Sequence, residues 1–389
     1  MNTPRRVLPV IVASQFAGTS LWFAGNAVLP DIQARWALPA TAVATVTSAV
    51  QLGFVLGTLT FAMLMLADRL RPTRVFMVCS LLAAACNAAI ALLDGQFTVL
   101  VVLRFVVGFL LAGIYPVGMK IAASWYREGL GAALGVLVGA LVLGTALPHG
   151  LRALAGSGSV LPSWQAVLVA VSILAAIGGI ATALFVPERE RGPGVPIDVR
   201  ALRTIVTQPN LRASVFGYFG HMWELYALYA LVPLIAATRF TGTDISALAF
   251  WAIAAGFLGC AVGGGMSRRF GSARIAAWQL ATSGVCCLAA PWLLEAPAPL
   301  FVAWLLVWGL TVVGDSPQFS ALTARNAPPE VVGSVLTLTN CIGFAISVVS
   351  IEAFVRLSQA YPLAGVLPWL AVGPVLGLFA LRPLLARPR

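Results

Sequence analysis

Twelve apolar stretches, each close to the length that crosses a bilayer, leave this chain little choice of fold. A spanning helix needs about 20 mostly apolar residues. Runs of that kind lie at about 8–29, 42–66, 75–93, 97–119, 130–151, 164–186, 213–236, 246–266, 274–294, 299–323, 332–355 and 364–384. Inside lipid every backbone N–H and C=O must find a partner within the protein, which restricts such runs to helices. The expected fold class is therefore an all-α membrane protein with twelve transmembrane helices, here called spans 1 to 12. Most connections are short, so consecutive spans run antiparallel. Composition agrees: 60% of residues are hydrophobic and 10% charged, against about 25% charged in a soluble domain.

Positive charge sorts the connections into two sets. Of the 24 Lys and Arg, 19 fall at the termini and in the even-numbered connections. Only Arg35, Arg152, Arg239 and Arg356 fall in the odd-numbered ones, and Arg104 lies inside span 4. Loops rich in Lys and Arg stay on the cytoplasmic side, which predicts a multi-pass protein of the cell (inner) membrane with both termini cytoplasmic. The net charge of +11 is scattered through short loops beside apolar spans. That is the pattern of anionic lipid headgroups rather than nucleic acid as partner. The first apolar run, from Leu8 to Leu29, exceeds the roughly 7–15 residues of a signal-peptide core and reads as a retained span. All six cysteines lie in apolar stretches without metal-ligand spacing to His and read as packing residues.

Internal repetition divides the twelve spans in two. Asp68-Arg69 with Arg74 follows span 2, and Arg268-Arg269 with Arg274 follows span 8, an offset of 200. Gly113-Ile-Tyr-Pro116 in span 4 recurs as Gly314-Asp-Ser-Pro317 in span 10, an offset of 201. The longest and most polar connection, Pro187-Glu-Arg-Glu-Arg-Gly-Pro-Gly194 and onward, lies at the midpoint. The expected organisation is two pseudo-symmetric six-helix bundles, 1–186 and 213–389, joined by a cytoplasmic linker at 187–212.

Those motifs resemble the major facilitator superfamily over nearly the whole chain, a family built from parallel six-helix repeats. Leu66-Ala-Asp-Arg69 with Arg74 is similar to the family's loop between helices two and three, usually Gly-x-x-x-Asp-Arg-x-Gly-Arg-Arg. Leu64 and Arg71 stand where glycines are usual; the second copy keeps Gly264 and Gly271 but has Arg268 in place of Asp. The resemblance implies that Asp68, Arg69, Arg74 and Arg269 form a cytoplasmic charge clamp that gates the outward-facing state; the alternative is a topology signal alone. Arg104-x-x-x-Gly108 resembles the family's Arg-x-x-x-Gly motif, with anion binding, help in proton coupling, or pairing with neighbouring helices as its readings. Ser20-Leu-Trp-Phe-Ala-Gly-Asn26, Leu147-Pro-His149 and the run from Gly314 to Phe319 look most like the nitrate/nitrite and cyanate permease-like branch. Spans 2 and 8 hold no arginine to grip an anion, which argues against nitrate itself.

Ionisable and amide groups inside spans are default functional candidates. In span 7, His221, Trp223, Glu224, Tyr226 and Tyr229 cluster, and His221 and Glu224, three apart, share a face. A buried carboxyl beside an imidazole is a natural proton site, so Glu224, His221 and Asp315 of span 10 are the proton-coupling candidates. Asp315 has pairing with Arg325 or a helix end as its structural alternative. Trp22, Asn26, Gln51, Arg104, Tyr115, Trp223, Tyr226, Gln318 and Asn340 are the substrate-binding candidates, with helix–helix contact as the competing role. Lys120 reads as snorkelling to the cytoplasmic surface.

The function these observations predict is secondary active transport of a small solute, an anion by preference, by proton-coupled alternating access. Proton-driven efflux of a hydrophobic or amphipathic compound is the alternative, and a non-transporting membrane receptor a remote one. No phosphate-cradling Gly-x-x-x-x-Gly-Lys, metal set or nucleophile elbow appears, so neither an enzyme nor a cofactor is expected. The expected partners are a small-molecule substrate, protons and lipid, with the protein a monomer.

Overall fold

The computed structural model describes residues 4, 6–126, 130–155, 163–189 and 196–386. Among these there are helices and no strand. Val7–Trp36, Ala42–Met63, Pro72–Ile90, Phe97–Trp125, Leu130–Ala155 and Trp164–Phe185 are spans 1 to 6. Pro209–Ala236, Thr243–Phe270, Ser272–Leu293, Ala298–Asn326, Val332–Ala360 and Leu363–Leu385 are spans 7 to 12. Eleven of the twelve are both long and apolar enough to cross a membrane. Span 9 is long enough at 22 residues, but Gln279, Thr282, Ser283 and Pro291 dilute it.

Several helices outrun the apolar stretch that announces them. Span 7 starts at Pro209 rather than 213 and has 28 residues, about 42 Å at about 1.5 Å per residue. The hydrocarbon core is only about 30 Å thick. Hydropathy marks the part of a helix that lipid must solvate, while the hydrogen-bond ladder continues into the polar boundary.

Contacts divide the chain into two compact units, Met1–Val195 with Phe240–Trp251, and Pro196–Arg239 with Ala252–Arg389. In the first, span 2 packs on span 4 and span 3 on span 6; in the second, span 7 packs on spans 11 and 12, and span 9 on spans 10 and 12. The predicted linker at 187–212 includes residues 190–195, which lie outside those described. Its later part forms a short helix, Ala201–Thr207.

The repeat is visible in how helices touch. A Cβ on Gly108 of span 4 would collide with the backbone of Val50 in span 2, and one on Gly309 of span 10 with the backbone of Ala252 in span 8. Gly57 and Gly259 meet the same restriction against Phe109 and Leu310. Small residues at such places let backbones approach closely. Gly108→Val therefore forces spans 2 and 4 apart. It is expected to cost about 1–3 kcal/mol, seen as a lower unfolding temperature in detergent and a reduced yield of monodisperse protein.

Four of the described spans are interrupted: span 12 passes through a 3-10 turn at Leu367–Ala371, span 1 opens once, and spans 4 and 10 break in register. Span 4 stops as an α-helix at Leu111 and resumes at Tyr115, and span 10 is interrupted at Asp315. Pro116 and Pro317 follow these breaks; proline cannot donate to the preceding turn and fits the first turn of the new helix. Span 1 breaks between Thr19 and Ala24 without a proline, and its freed carbonyls need partners from elsewhere.

Candidate functional site

In the first unit that partner is Arg104. Its side chain is wholly buried, a placement tolerated only where a guanidinium finds acceptors. Nη1 donates to Leu21 O at 3.0 Å and to Asn87 Oδ1 at 3.2 Å, and Nη2 donates to Trp22 O. The rigid fork thus ties span 4 to the opened turn of span 1 and to the lone amide of span 3. Asn87 is itself fixed through Nδ2, which donates to Ser172 Oγ at 3.0 Å and Leu168 O at 3.2 Å in span 6. All these partners are neutral: two backbone carbonyls and an amide oxygen.

Beside this junction lies a box of aromatic and amide groups. The Trp22 indole N–H donates to Gln51 Oε1 at 3.3 Å, and Asn26 Nδ2 donates to Thr47 Oγ1 at 2.5 Å. Trp22 stacks near Phe54, with ring centroids 4.8 Å apart, and both lie 6.4 Å from the Tyr115 ring. Gln51 Nε2 and Asn26 Oδ1 are buried, with no hydrogen-bond partner among the described residues. The structure therefore brings together Trp22, Asn26, Gln51 and Tyr115 with Arg104 close behind them.

The second unit holds the acids. Glu224 is the sixteenth residue of the 28-residue helix Pro209–Ala236 and is fully buried. Trp308 Nε1 of span 10 donates to Oε1 at 2.6 Å and Cys287 Sγ of span 9 at 3.2 Å; Ser283 Oγ donates to Oε2 at 2.9 Å. Burying a charge is costly unless donors answer it, and here three do. His221 turns elsewhere. Its Nδ1 lies 2.8 Å from Asp315 Oδ1, both side chains fully buried. The contact is close but off hydrogen-bond alignment, and among the described residues His221 Nε2 has no hydrogen-bond partner. Asp315 is the residue at the span 10 break and the N-cap of the helix Ser316–Asn326 that follows, and its ion-pair partner is His221.

The remaining candidates are spread more widely. Asn340 Oδ1 accepts from Tyr218 O–H at 3.0 Å, and Tyr218 stacks at 5.7 Å on His221, which links Asn340 to the histidine. Gln318 is buried one turn beyond the break. Trp223 packs edge-on against Phe354 at 5.6 Å and Tyr226 lies against Phe344 at 5.2 Å, so both contact span 11.

At the end of the first unit that carries the even connections, Asp68 pairs with Lys120 of span 4. Arg69 and Arg74 are exposed, and Arg269 in the second unit lies over Phe270 at 5.3 Å. Lys120, expected to snorkel, is thus an ion-pair partner. Glu188 is a further member: its Oε1 accepts from Thr73 Oγ1 at 2.5 Å and Thr73 N at 3.3 Å at the start of span 3. Arg189 donates to Ser124 O at 2.6 Å and covers the Trp125 ring. A recess of about 100 Å³ lies among these groups. Leu64, in place of the leading glycine, keeps an ordinary φ of -81° and its neighbour Met65 takes the left-handed 51°, while Arg71, in place of the second glycine, has φ -69° where Gly271 has 86° in the second copy.

Twelve membrane-length helices, two similarly broken spans and charged groups buried within them define a multi-pass membrane transporter. The Major Facilitator Superfamily model matches residues 10–351, and the chain belongs to that family. Among solved structures it is similar to the human organic anion transporter MFSD10 (TETRAN), with a TM-score of 0.72 at 14% sequence identity, over 98% of this chain and 100% of that one. Likeness at that identity concerns the fold. No curated protein sequence matches the chain. Family and fold make it a secondary transporter of a small solute and not an enzyme.

Asn87, Ser283, Cys287, Trp308, Lys120 and Glu188 were not among the predicted site residues. A single amide in an apolar span marks Asn87, and Ser283 and Cys287 four apart on one face mark span 9. Nothing in the sequence pairs them with Glu224.

Proposed function

We propose that the chain moves a small anion across the cell (inner) membrane by alternating access, coupled to protons. The proposal treats residues 1–186 and 213–389 as the two moving bundles, 187–212 as the linker, and the working unit as a monomer with both termini in the cytoplasm. One observation carries the coupling: a fully buried carboxyl group at mid-helix, held by three donors from two other spans. Glu224 is the proton carrier, and the buried His221–Asp315 pair is the second exchange point, placed where span 10 is broken and free to bend.

The anion reading rests on Arg104. Its hydrogen-bond partners are two carbonyls and an amide, so a positive charge stands in low-dielectric surroundings, where Coulomb interactions are strong. Resemblance to the nitrate/nitrite and cyanate permease-like branch points the same way. The aromatic box of Trp22, Phe54 and Tyr115 supports a second reading, export of a hydrophobic or amphipathic compound. A thermal-shift series on purified protein separates the two: small anions raise the unfolding temperature under the first, lipophilic cations under the second.

Coupling is tested in sealed vesicles with and without an imposed pH gradient. Transport that ignores the gradient refutes the proton reading. The Asp68–Lys120 pair is half exposed, and pairs of that kind contribute at most about 1 kcal/mol. Asp68→Asn is accordingly expected to leave thermal unfolding nearly unchanged while lowering the initial transport rate. A normal rate would remove Asp68 from gating.

A further inference from the structure

The short helix Ala201–Thr207 in the linker has two apolar faces, and the described residues cover only one. Ala201 and Ile205 are buried, directed to spans 7 and 11, on which this helix packs. On the other side Val199, Leu202 and Val206 are 67%, 41% and 56% exposed. With about 3.6 residues per turn these three form one stripe. Arg203 borders it, with Arg200 beyond, and both are exposed. Among the described residues neither guanidinium is in an ion pair, and the neighbouring Asp198 accepts from the Arg200 backbone N–H at 2.8 Å.

The helix is held in this pose from both ends. Asp198 N donates to Ser334 Oγ at 2.9 Å, at the start of span 11. Arg212 Nη1 of span 7 donates to Val206 O at 3.2 Å, at the last turn. Two residues after Thr207, Pro209 opens span 7. A helix so close to the start of a membrane-crossing helix lies at the lipid boundary. An apolar stripe bordered by cationic side chains is the design of an element lying in the plane of that boundary.

We propose that Ala201–Thr207 docks on the membrane surface, inserting Val199, Leu202 and Val206 among acyl chains while Arg200 and Arg203 bind anionic phospholipid headgroups. The occupant follows from charge complementarity and from continuity with span 7; bilayer lipid is the partner this face meets by position. Docking sets the membrane depth of the span 7 start, and hence of the helix that carries Glu224.

The test is amide hydrogen exchange of residues 200–207 in the full-length protein, in nanodiscs of phosphatidylcholine alone or mixed with phosphatidylglycerol. Each basic residue near an anionic surface contributes enough to predict exchange slower by roughly tenfold in the mixed lipid, and the difference should shrink at high salt. Arg200→Gln with Arg203→Gln should erase the difference, with exchange in the body of span 7 unchanged as evidence of folding. Leu202→Ser with Val206→Ser should weaken protection in both lipids. Equal exchange of the wild type in the two lipids overturns the proposal. So does protection that survives Arg200→Gln with Arg203→Gln, or that depends on having two proteins per disc, which would assign the stripe to a second copy.

Discussion

Glu224→Gln is expected to abolish accumulation driven by a pH gradient while leaving downhill exchange of substrate. The substitution keeps the shape. The Gln carbonyl oxygen can accept from Trp308 and Cys287 as Oε1 does now, and the new amide N–H₂ faces Ser283. That hydroxyl also reaches Leu280 O at 3.1 Å, so it can turn its proton there and accept from the amide. The site stays hydrogen-bonded and the fold is preserved, but the side chain no longer takes up or releases a proton. One pH unit is worth about 1.4 kcal/mol per proton, or about tenfold accumulation per coupled proton; the variant should show none of it. Counterflow of labelled substrate is the control. If Glu224→Gln responds to the gradient as the wild type does, the proton passes elsewhere, and Asp315→Asn becomes the variant to measure. Trp308→Phe should give a milder form of the defect, since it removes the shortest of the three hydrogen bonds while sparing the carboxyl.

The sequence revealed more of the frame than of the site. Twelve apolar stretches were enough to expect the spans, because lipid solvation acts locally, and the recurrence of Gly113-Ile-Tyr-Pro116 as Gly314-Asp-Ser-Pro317 marked two halves; the matching breaks in spans 4 and 10 came only with the structure. The choice of partners was not legible. His221 and Glu224 lie three residues apart on one helix, so spacing suggested one site. Yet Glu224 bonds to spans 9 and 10 while His221 meets Asp315, because each helix face is divided among several neighbours. Lys120 shows the same limit: a long cation near a helix end fits snorkelling and ion pairing equally well, and only the position of the loop after span 2 decides. The break in span 1 was silent because no proline causes it; its signal is on span 4, in the arginine that binds its carbonyls.

That arginine carries the largest structural expectation. Arg104→Ala removes the donor from Leu21 O, Trp22 O and Asn87 Oδ1 in the interior, and each buried acceptor left unsatisfied costs about 1–3 kcal/mol. A loss of several kcal/mol is expected to leave little folded protein, which says nothing about substrate. The informative pair is Arg104→Lys and Arg104→Gln. Lysine retains the charge but presents it as a point, without the planar fork that reaches two carbonyls at once; glutamine retains one donor group and no charge. If Arg104 acts through its field, Lys should hold KM for anions near the wild-type value while kcat falls with the loosened span 1 turn. Gln should raise KM for anions about tenfold or more, on the order of 1.4 kcal/mol, with no change for a neutral analogue of the same size. If it is only a clamp on the opened turn, the two variants will lose kcat together and leave KM alone. Trp22 reports on that turn, since its carbonyl is bound by Arg104 and its indole by Gln51. Cysteine accessibility at Ser20 in the two variants, measured beside the kinetics, separates a displaced helix from a missing charge, and an unchanged KM in a correctly folded Arg104→Gln protein would end the anion reading.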